Sequence, residues 1–127
     1  MAVTSQKDGV ITLDAAGDLS ANQYEIMKCS ANDTATVVGA ETDIAIGVLL
    51  NKPDAAGKAA RIQYAGIAEV LAGDAVTVGS RVMPDATGRV VDVDADGKTV
   101  IGVALTSSST AGERIKVLLT IGAQQAS

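Results

Sequence analysis

Asp92, Asp94 and Asp96, spaced at every second residue and followed by Gly97, look like the opening of a calcium loop. Such a site needs oxygen ligands at alternating positions and a glycine where the chain turns sharply. The closing bidentate glutamate falls instead on Val103, and no helical pattern flanks the run. A solvated acidic hairpin turn is therefore the expected structure. Asp14 and Asp18 raise the same question with less support. Cys29 is the sole cysteine, and the chain contains no histidine to serve as its base. Lys28 beside it could favour the thiolate, but one lysine does not make a catalytic pair. A serine triad is excluded by the same lack of histidine. A tetrahedral zinc site would have to be filled almost entirely by carboxylates. No glycine-rich stretch matches a phosphate loop. The residues predict no enzyme, no cofactor and no metal.

The composition narrows the classes further. A chain of 127 residues is long enough to bury a core as one domain. Phe and Trp are absent, and Tyr24 and Tyr64 are the only aromatics, so the core must be built from Val, Ile, Leu and Ala. Fifteen acids against ten scattered bases give a net charge of −5. That balance argues against a nucleic-acid surface, which needs clustered cations, and the lack of stacking aromatics argues against single strands. One cysteine allows no internal disulfide. Met1 to Gln6 has neither the apolar core nor the basic leader of a signal peptide. No run approaches the roughly 20 apolar residues of a membrane span. A soluble protein made in a cytoplasm is expected.

An internal repeat sets the folding unit. Ile46-Gly47-Val48-x-Leu50, Gly57 and a run through Ile62 return as Ile101-Gly102-Val103-x-Leu105, Gly112 and a run through Val117, at a shift of 55. Upstream, Ala16-Gly17-Asp18 and Met27 match Ala72-Gly73-Asp74 and Met83 at a shift of 56. Two copies are too few for an open solenoid, so a closed pseudo-twofold domain is expected.

The elements that would carry these residues read as short strands between Gly, Asp and Asn turns. Strands are expected at 9–13, 24–29, 34–38, 44–50, 59–64 and 66–71 in the first part. The second part repeats them at 81–83, 89–91, 100–105 and 114–119, with 84–88 as a hairpin turn. Alternation of basic and apolar residues over Arg114–Leu119 predicts one wet and one buried face. Helix is expected only as short pieces near 17–23, 55–60 and 72–78. The fold class is thus all-β, a compact small barrel or sandwich of short strands in two similar halves of about 55 residues, with little helix. Residues 1–13 form an arm and first strand, 14–123 one duplicated domain with halves near 16–70 and 72–123, and 124–127 a frayed tail.

Two resemblances bear on function. Glu25-Ile26-Met27-Lys28-Cys29 resembles the Met-Lys-Met turn of biotin carrier domains, which are also small, all-β and two-halved. Here Cys29 replaces the second Met, and Met83 is followed by Pro84, so a strand lysine is the expected reading of Lys28. The second resemblance covers nearly the whole chain. Ala65-Gly66-Ile67-Ala68-Glu69-Val70, then Ala72-Gly73-Asp74-Ala75-Val76, Gly79-Ser80 and Val82 lead into Asp85-Ala86-Thr87-Gly88-Arg89-Val90. Ile101-Gly102-Val103-Ala104-Leu105, Ala111-Gly112-Glu113 and Val117-Leu118-Leu119 complete the pattern. This is similar to a family of tailed-phage capsid decoration, or cement, proteins; the start over Thr4–Leu13 departs from it.

The resemblance implies a virion protein on the outer capsid surface, bound to the major capsid protein, and commonly a homotrimer. Shell contact is expected at Val3, Thr4, Val10, Ile11 and Leu13, by an arm that orders on a neighbour or by strand addition. Subunit contact is expected at Asn51, Lys52, Pro53, Thr106 and Ser107. The alternative is a head appendage that binds a host receptor or glycan, with Tyr64 as its candidate residue.

Overall fold

Short β-branched runs separated by turn residues do fold as strands. The computed structural model describes residues 9–40, 43–93 and 100–121, and no α-helix occurs among them. The first half holds β1 (Val10–Ala15), β2 (Ile26–Ala31), β3 (Thr34–Val37), β4 (Gly47–Leu49) and β5 (Ala59–Gln63). These close into a barrel in the order β1-β3-β2-β4-β5. The second half holds β6 (Gly66–Leu71), β7 (Arg81–Pro84), β8 (Val90–Asp92), β9 (Gly102–Ala104) and β10 (Arg114–Leu119). They form a five-stranded sheet in the order β6-β10-β9-β7-β8. Segments 17–23 and 72–78, expected to hold short helix, are turns and isolated bridges. The expected strand 44–50 shortens to β4, and Ile44 points out at 67% exposure.

Strand pairings of the first half have counterparts in the second. Ile26↔Val48 and Met27↔Gly47 correspond to Arg81↔Val103 and Val82↔Gly102, at a shift of 55. Cys29↔Ala35 corresponds to Pro84↔Val90, and Leu49↔Ile62 to Ala104↔Val117, at the same shift. The first strand moves further: Asp14↔Ala59 corresponds to Leu71↔Arg114, 57 on for one partner and 55 for the other. The connection before the second strand is therefore longer by two in the first half, not by one. Val82, not Met83, takes the place of Met27, and Gly73, not Ala72, takes that of Ala16.

One core fills the barrel and a second spans both halves. Leu19, Met27, Ala35, Leu49, Ala60 and Ile62 pack inside the barrel, with Ile11 and Leu13 against them. Ile26, Val38, Ala45 and Val48 of the first half pack with Val70, Val90, Ile101 and Val117 of the second. The halves are thus welded through apolar contact, which stabilises in proportion to the area removed from water.

The seam between the halves explains why one sheet is closed and the other open. In the barrel, β1 and β3 pair in parallel, and Asp14 N donates directly to Asp33 O at 2.8 Å. The corresponding residues of the second half are Leu71 and Gly88. There Leu71 N donates to Tyr24 O (3.0 Å), while Ile26 N donates to Gly88 O (2.7 Å). The segment Tyr24–Ile26 is wedged between β6 and β8, and beyond it the two sides keep only the bridge Ala72↔Val90. Tyr24 adopts φ of 68°, so the strand expected at 24–29 starts at Ile26 instead. Gly88 has φ of 88°, and a β-carbon there would overlap the Val37 side chain. The Glu25 carboxylate is buried in this joint, accepting from Asn22 Nδ2 at 2.8 Å and lying 3.5 Å from Arg89 Nε.

The repeated Ile-Gly-Val motif has a packing cause. A β-carbon on Gly47 would overlap the carbonyl oxygen of Gln63, and one on Gly102 would overlap that of Leu118. Gly47→Ala and Gly102→Ala are each expected to destabilise by about 1–3 kcal/mol through overpacking, measured by urea unfolding. Arg89→Ala removes the cation beside the buried Glu25 carboxylate. A loss of about 1–3 kcal/mol is expected, and it should largely vanish when Glu25 is replaced by Leu in a double-mutant cycle.

Candidate binding surface

Two of the candidate acidic ligands accept hydrogen bonds from nearby chain. Asp92 ends β8 and its carboxylate accepts from Thr77 N at 3.3 Å; the rest of the Asp-x-Asp-x-Asp-Gly run lies outside the described residues. Asp18 accepts from the hydroxyl and the amide of Ser20, and these bonds hold its carboxyl below the usual aspartate value. The hydroxyl of Thr110, and then that of Ser109, hold Glu113 low in the same way. Among the described residues no group of three or more acids or thiols could hold a metal ion.

Lys28 stands within β2 and not at a hairpin tip. Its ammonium lies 3.0 Å from Asp43, whose carboxylate also accepts from Gly39 N (2.8 Å) and Ala40 N (3.1 Å). The Gly39 amide and then the Lys28 ammonium hold the Asp43 carboxyl below its ordinary value. Cys29 is exposed and its thiol lies 3.2 Å from Ala31 O. With Ser30 and Ile44 these residues line a shallow open concavity. Tyr64 is half-buried between β5 and β6, its amide bonded to Gly9 O.

The residues expected to meet the shell divide in two. Val3 and Thr4 lie outside the described residues. Val10, Ile11 and Leu13 belong to β1, where Ile11 and Leu13 pack onto the barrel core. β5 pairs along Val10–Asp14, whereas β3 pairs only at Asp14 and Ala15, so among the described residues only one edge of Val10–Leu13 carries a ladder partner. The outward positions of β1 are Val10, Thr12 and Asp14.

The residues expected at subunit contacts belong to matching loops. Asn51 Oδ1 accepts from Arg61 N, and Thr106 Oγ1 accepts from Lys116 N, both at 3.0 Å. Pro53 is buried and its carbonyl accepts from Leu19 N, while Ser108 O accepts from Val76 N in the other half. Lys52, Thr106 and Ser107 are exposed; Asn51 is half-buried. These loops close the ends of their own halves and leave three of the five side chains outward.

A surface without an obvious motif lies on the outer face of the second sheet. Ile67 stands opposite Leu118, Leu118 opposite Val103, and Val103 opposite Arg81. Ile67 is 58% exposed and Leu118 41%. Its sequence signal is the alternation over Arg114–Leu119, in which Leu118 shares the parity of Arg114 and Lys116. The neighbouring row carries Glu69 and Lys116, and Glu69 pairs with Arg114 at 3.2 Å. Arg114 lies over the Tyr24 ring, 5.0 Å from its centre.

Comparison with known proteins adds the following. A family model described as phage cement protein matches residues 6–119. A solved structure, the head fiber gp8.5 N base in bacteriophage phi29, superposes with a TM-score of 0.71 at 18% identity. The match covers 93% of this chain and 97% of that one. No curated protein matches.

Asp43 yields a pH prediction. A carboxyl held low in the folded state contributes stability above its ordinary value, and that contribution is lost as pH falls through the folded value. Asp43→Asn is therefore expected to lower the urea midpoint at pH 7. The gap to wild type should narrow steadily below the ordinary aspartate value of 3.8.

Proposed function

The chain belongs to the phage cement protein family, and on that premise we propose that it clamps neighbouring capsid subunits together from outside the assembled head. It is a phage head structural protein, a virion component of the head surface. The family match over residues 6–119 is the observation that carries the proposal. A protein that binds only the assembled shell stabilises it by mass action, without converting any substrate. The major capsid protein is its partner, and a homotrimer set where several capsid subunits meet is its form. The matching strand pairings of the two halves support reading 14–123 as a single duplicated domain, preceded over 1–13 by an arm that leads into the first strand. Shell contact runs through Val3 and Thr4 of that arm and through the outward side of β1, with Val10 at its start. Ile11 and Leu13 act indirectly, by anchoring the strand to the barrel core.

A second reading is favoured by the likeness in fold to a head fiber base. In it, the chain is a head appendage that binds a host receptor or glycan. Binding of the isolated protein to a glycan array, with no effect on head stability, would select that reading.

The test adds purified full-length protein to heads that lack it. Binding to expanded heads and not to immature ones is expected, with a rise in the temperature at which heads burst. Removal of residues 1–8 should weaken binding at least tenfold while leaving the thermal unfolding of the free protein nearly unchanged. Equal binding by the truncated protein would move the contact elsewhere, and no binding by the intact protein would refute the clamp.

A further inference from the structure

We infer that the open edge of β1, at Val10 and Thr12, is a strand-addition site whose occupant is an extended segment of the major capsid protein, apolar at alternate residues and basic at one end. The inference rests on the clamp proposed above and names the kind of segment that the clamp grips.

The phase of the backbone fixes which groups are on offer. Gly9 O accepts from Tyr64 N, and Ala15 N donates to Lys58 O, so the odd-numbered residues of β1 turn their peptide groups toward β5. Val10, Thr12 and Asp14 then turn theirs to the opposite edge, because successive residues of a paired strand alternate. Asp14 N meets Asp33 O there at 2.8 Å, and the ladder with β3 begins at Asp14. Among the described residues Val10 and Thr12 have no backbone partner on that edge. Each presents one donor and one acceptor, the template on which an extended chain adds itself to a sheet.

Side chains mark the same gap. Ile11 and Leu13 point to the barrel core, yet both stay half-buried. Their counterparts on β6, 57 residues on, are Ala68 and Val70, at 2% and 0% exposure. Those two lie in the core that the halves share, so the first half covers that flank of β6. No described strand pairs beside Val10–Leu13 to do the same for β1. The missing cover is thus both backbone and apolar. One extended strand supplies both, with every second side chain over Ile11 and Leu13. This adds direct cover to the anchoring that Ile11 and Leu13 provide.

Charge selects the occupant. The open stretch ends between Asp14 and Asp33, both exposed, and among the described residues no cation pairs with either. Their counterparts in the second half, Leu71 and Gly88, carry no charge. A cation at that end of the added strand is therefore favoured. A second copy fits poorly, because the chain carries −5 overall. The residues ahead of Gly9 offer no alternating apolar run either: Thr4 and Gln6 stand on one parity, Ser5 and Lys7 on the other. The site is short, from Val10 to Thr12, which suits a clamp whose grip is multiplied over several shell subunits.

Hydrogen exchange of the full-length protein, free and bound to expanded heads that lack it, tests this at single amides. In the free protein the Val10 and Thr12 amides should exchange freely, while those of Ile11 and Leu13 are protected by β5. On heads the Val10 and Thr12 amides should slow by about tenfold or more. Thr12→Pro deletes the outward donor and spares the β5 ladder. It should weaken head binding about tenfold, as the loss of one buried hydrogen bond implies, with a melting temperature close to wild type. Asp14→Asn and Asp33→Asn should each weaken it about threefold at low salt and less at high salt. Should Thr12→Pro fold poorly, wild-type exchange and the two Asn variants decide. Val10 and Thr12 amides that stay fast on heads that do bind overturn the edge and leave the clamp standing. Slow exchange in the free protein also overturns it, since the chain itself then fills the edge, or a second copy does where protection grows with concentration. Heads that bind no protein at all refute the clamp and this edge together.

Discussion

Two backbone hydrogen bonds, from Leu71 N to Tyr24 O and from Ile26 N to Gly88 O, fix the register in which the two halves meet over their shared apolar core. A buried peptide group left unpaired is costly, so strands that splay must find other partners. β6 and β8 splay, and the segment Tyr24–Ile26 supplies the missing groups. The same insertion carries Ile26 into the core shared with the second half, with Val48 beside it. It also dictates two local choices. Tyr24 turns into the left-handed region to enter the seam, and position 88 must lack a side chain. The closed first sheet and the open second sheet thus differ by whether another segment occupies the seam.

Without Phe or Trp, the barrel interior is filled by Leu19, Met27, Ala35, Leu49, Ala60 and Ile62. The two halves reach similar filling by different residues. At equivalent positions Leu49 gives way to Ala104, while Ala60 gives way to Ile115. Loss of volume on one strand is offset by gain on its neighbour, the kind of exchange that cores tolerate. Gly47 and Gly102 do not vary, because each faces a carbonyl oxygen of the adjoining strand. Side chains can trade volume with one another; a backbone atom cannot.

The strands and the recurring Ile-Gly-Val motif are legible in the sequence because β-branched runs and turn residues are local signals. Asp85 shows how far such signals reach: it accepts from Thr87 N, Thr87 Oγ1 and Arg89 N, and the expected hairpin at 84–88 forms around it. Upstream, matching Ala-Gly-Asp and Met by identity misleads, whereas the ladder follows inward parity and puts Val82 where Met27 stands. Tyr24 and Glu25 look like strand residues because nothing near them announces the left-handed turn, which is imposed by a seam with Leu71 and Gly88. The Glu25–Arg89 contact spans 64 residues and has no local signature. The apolar row on the second sheet is half visible: parity exposes Leu118, but only the register shows that Ile67 and Val103 stand beside it.

Several of the described carboxylates serve the turns that carry them. Asp18, Asp43, Asp85 and Glu113 each accept from amides or hydroxyls within a few residues or, for Asp43, also from Lys28. A carboxylate whose lone pairs are taken by its own turn is a structural acceptor, poorly placed to move a proton or hold a cation. In these four residues the turn itself takes up acceptor capacity that the sequence alone leaves open. On the outer face of the second sheet, Arg81, Arg114 and Lys116 outnumber Glu69, although the chain as a whole carries −5. That segregation sets this face apart from the acidic turns.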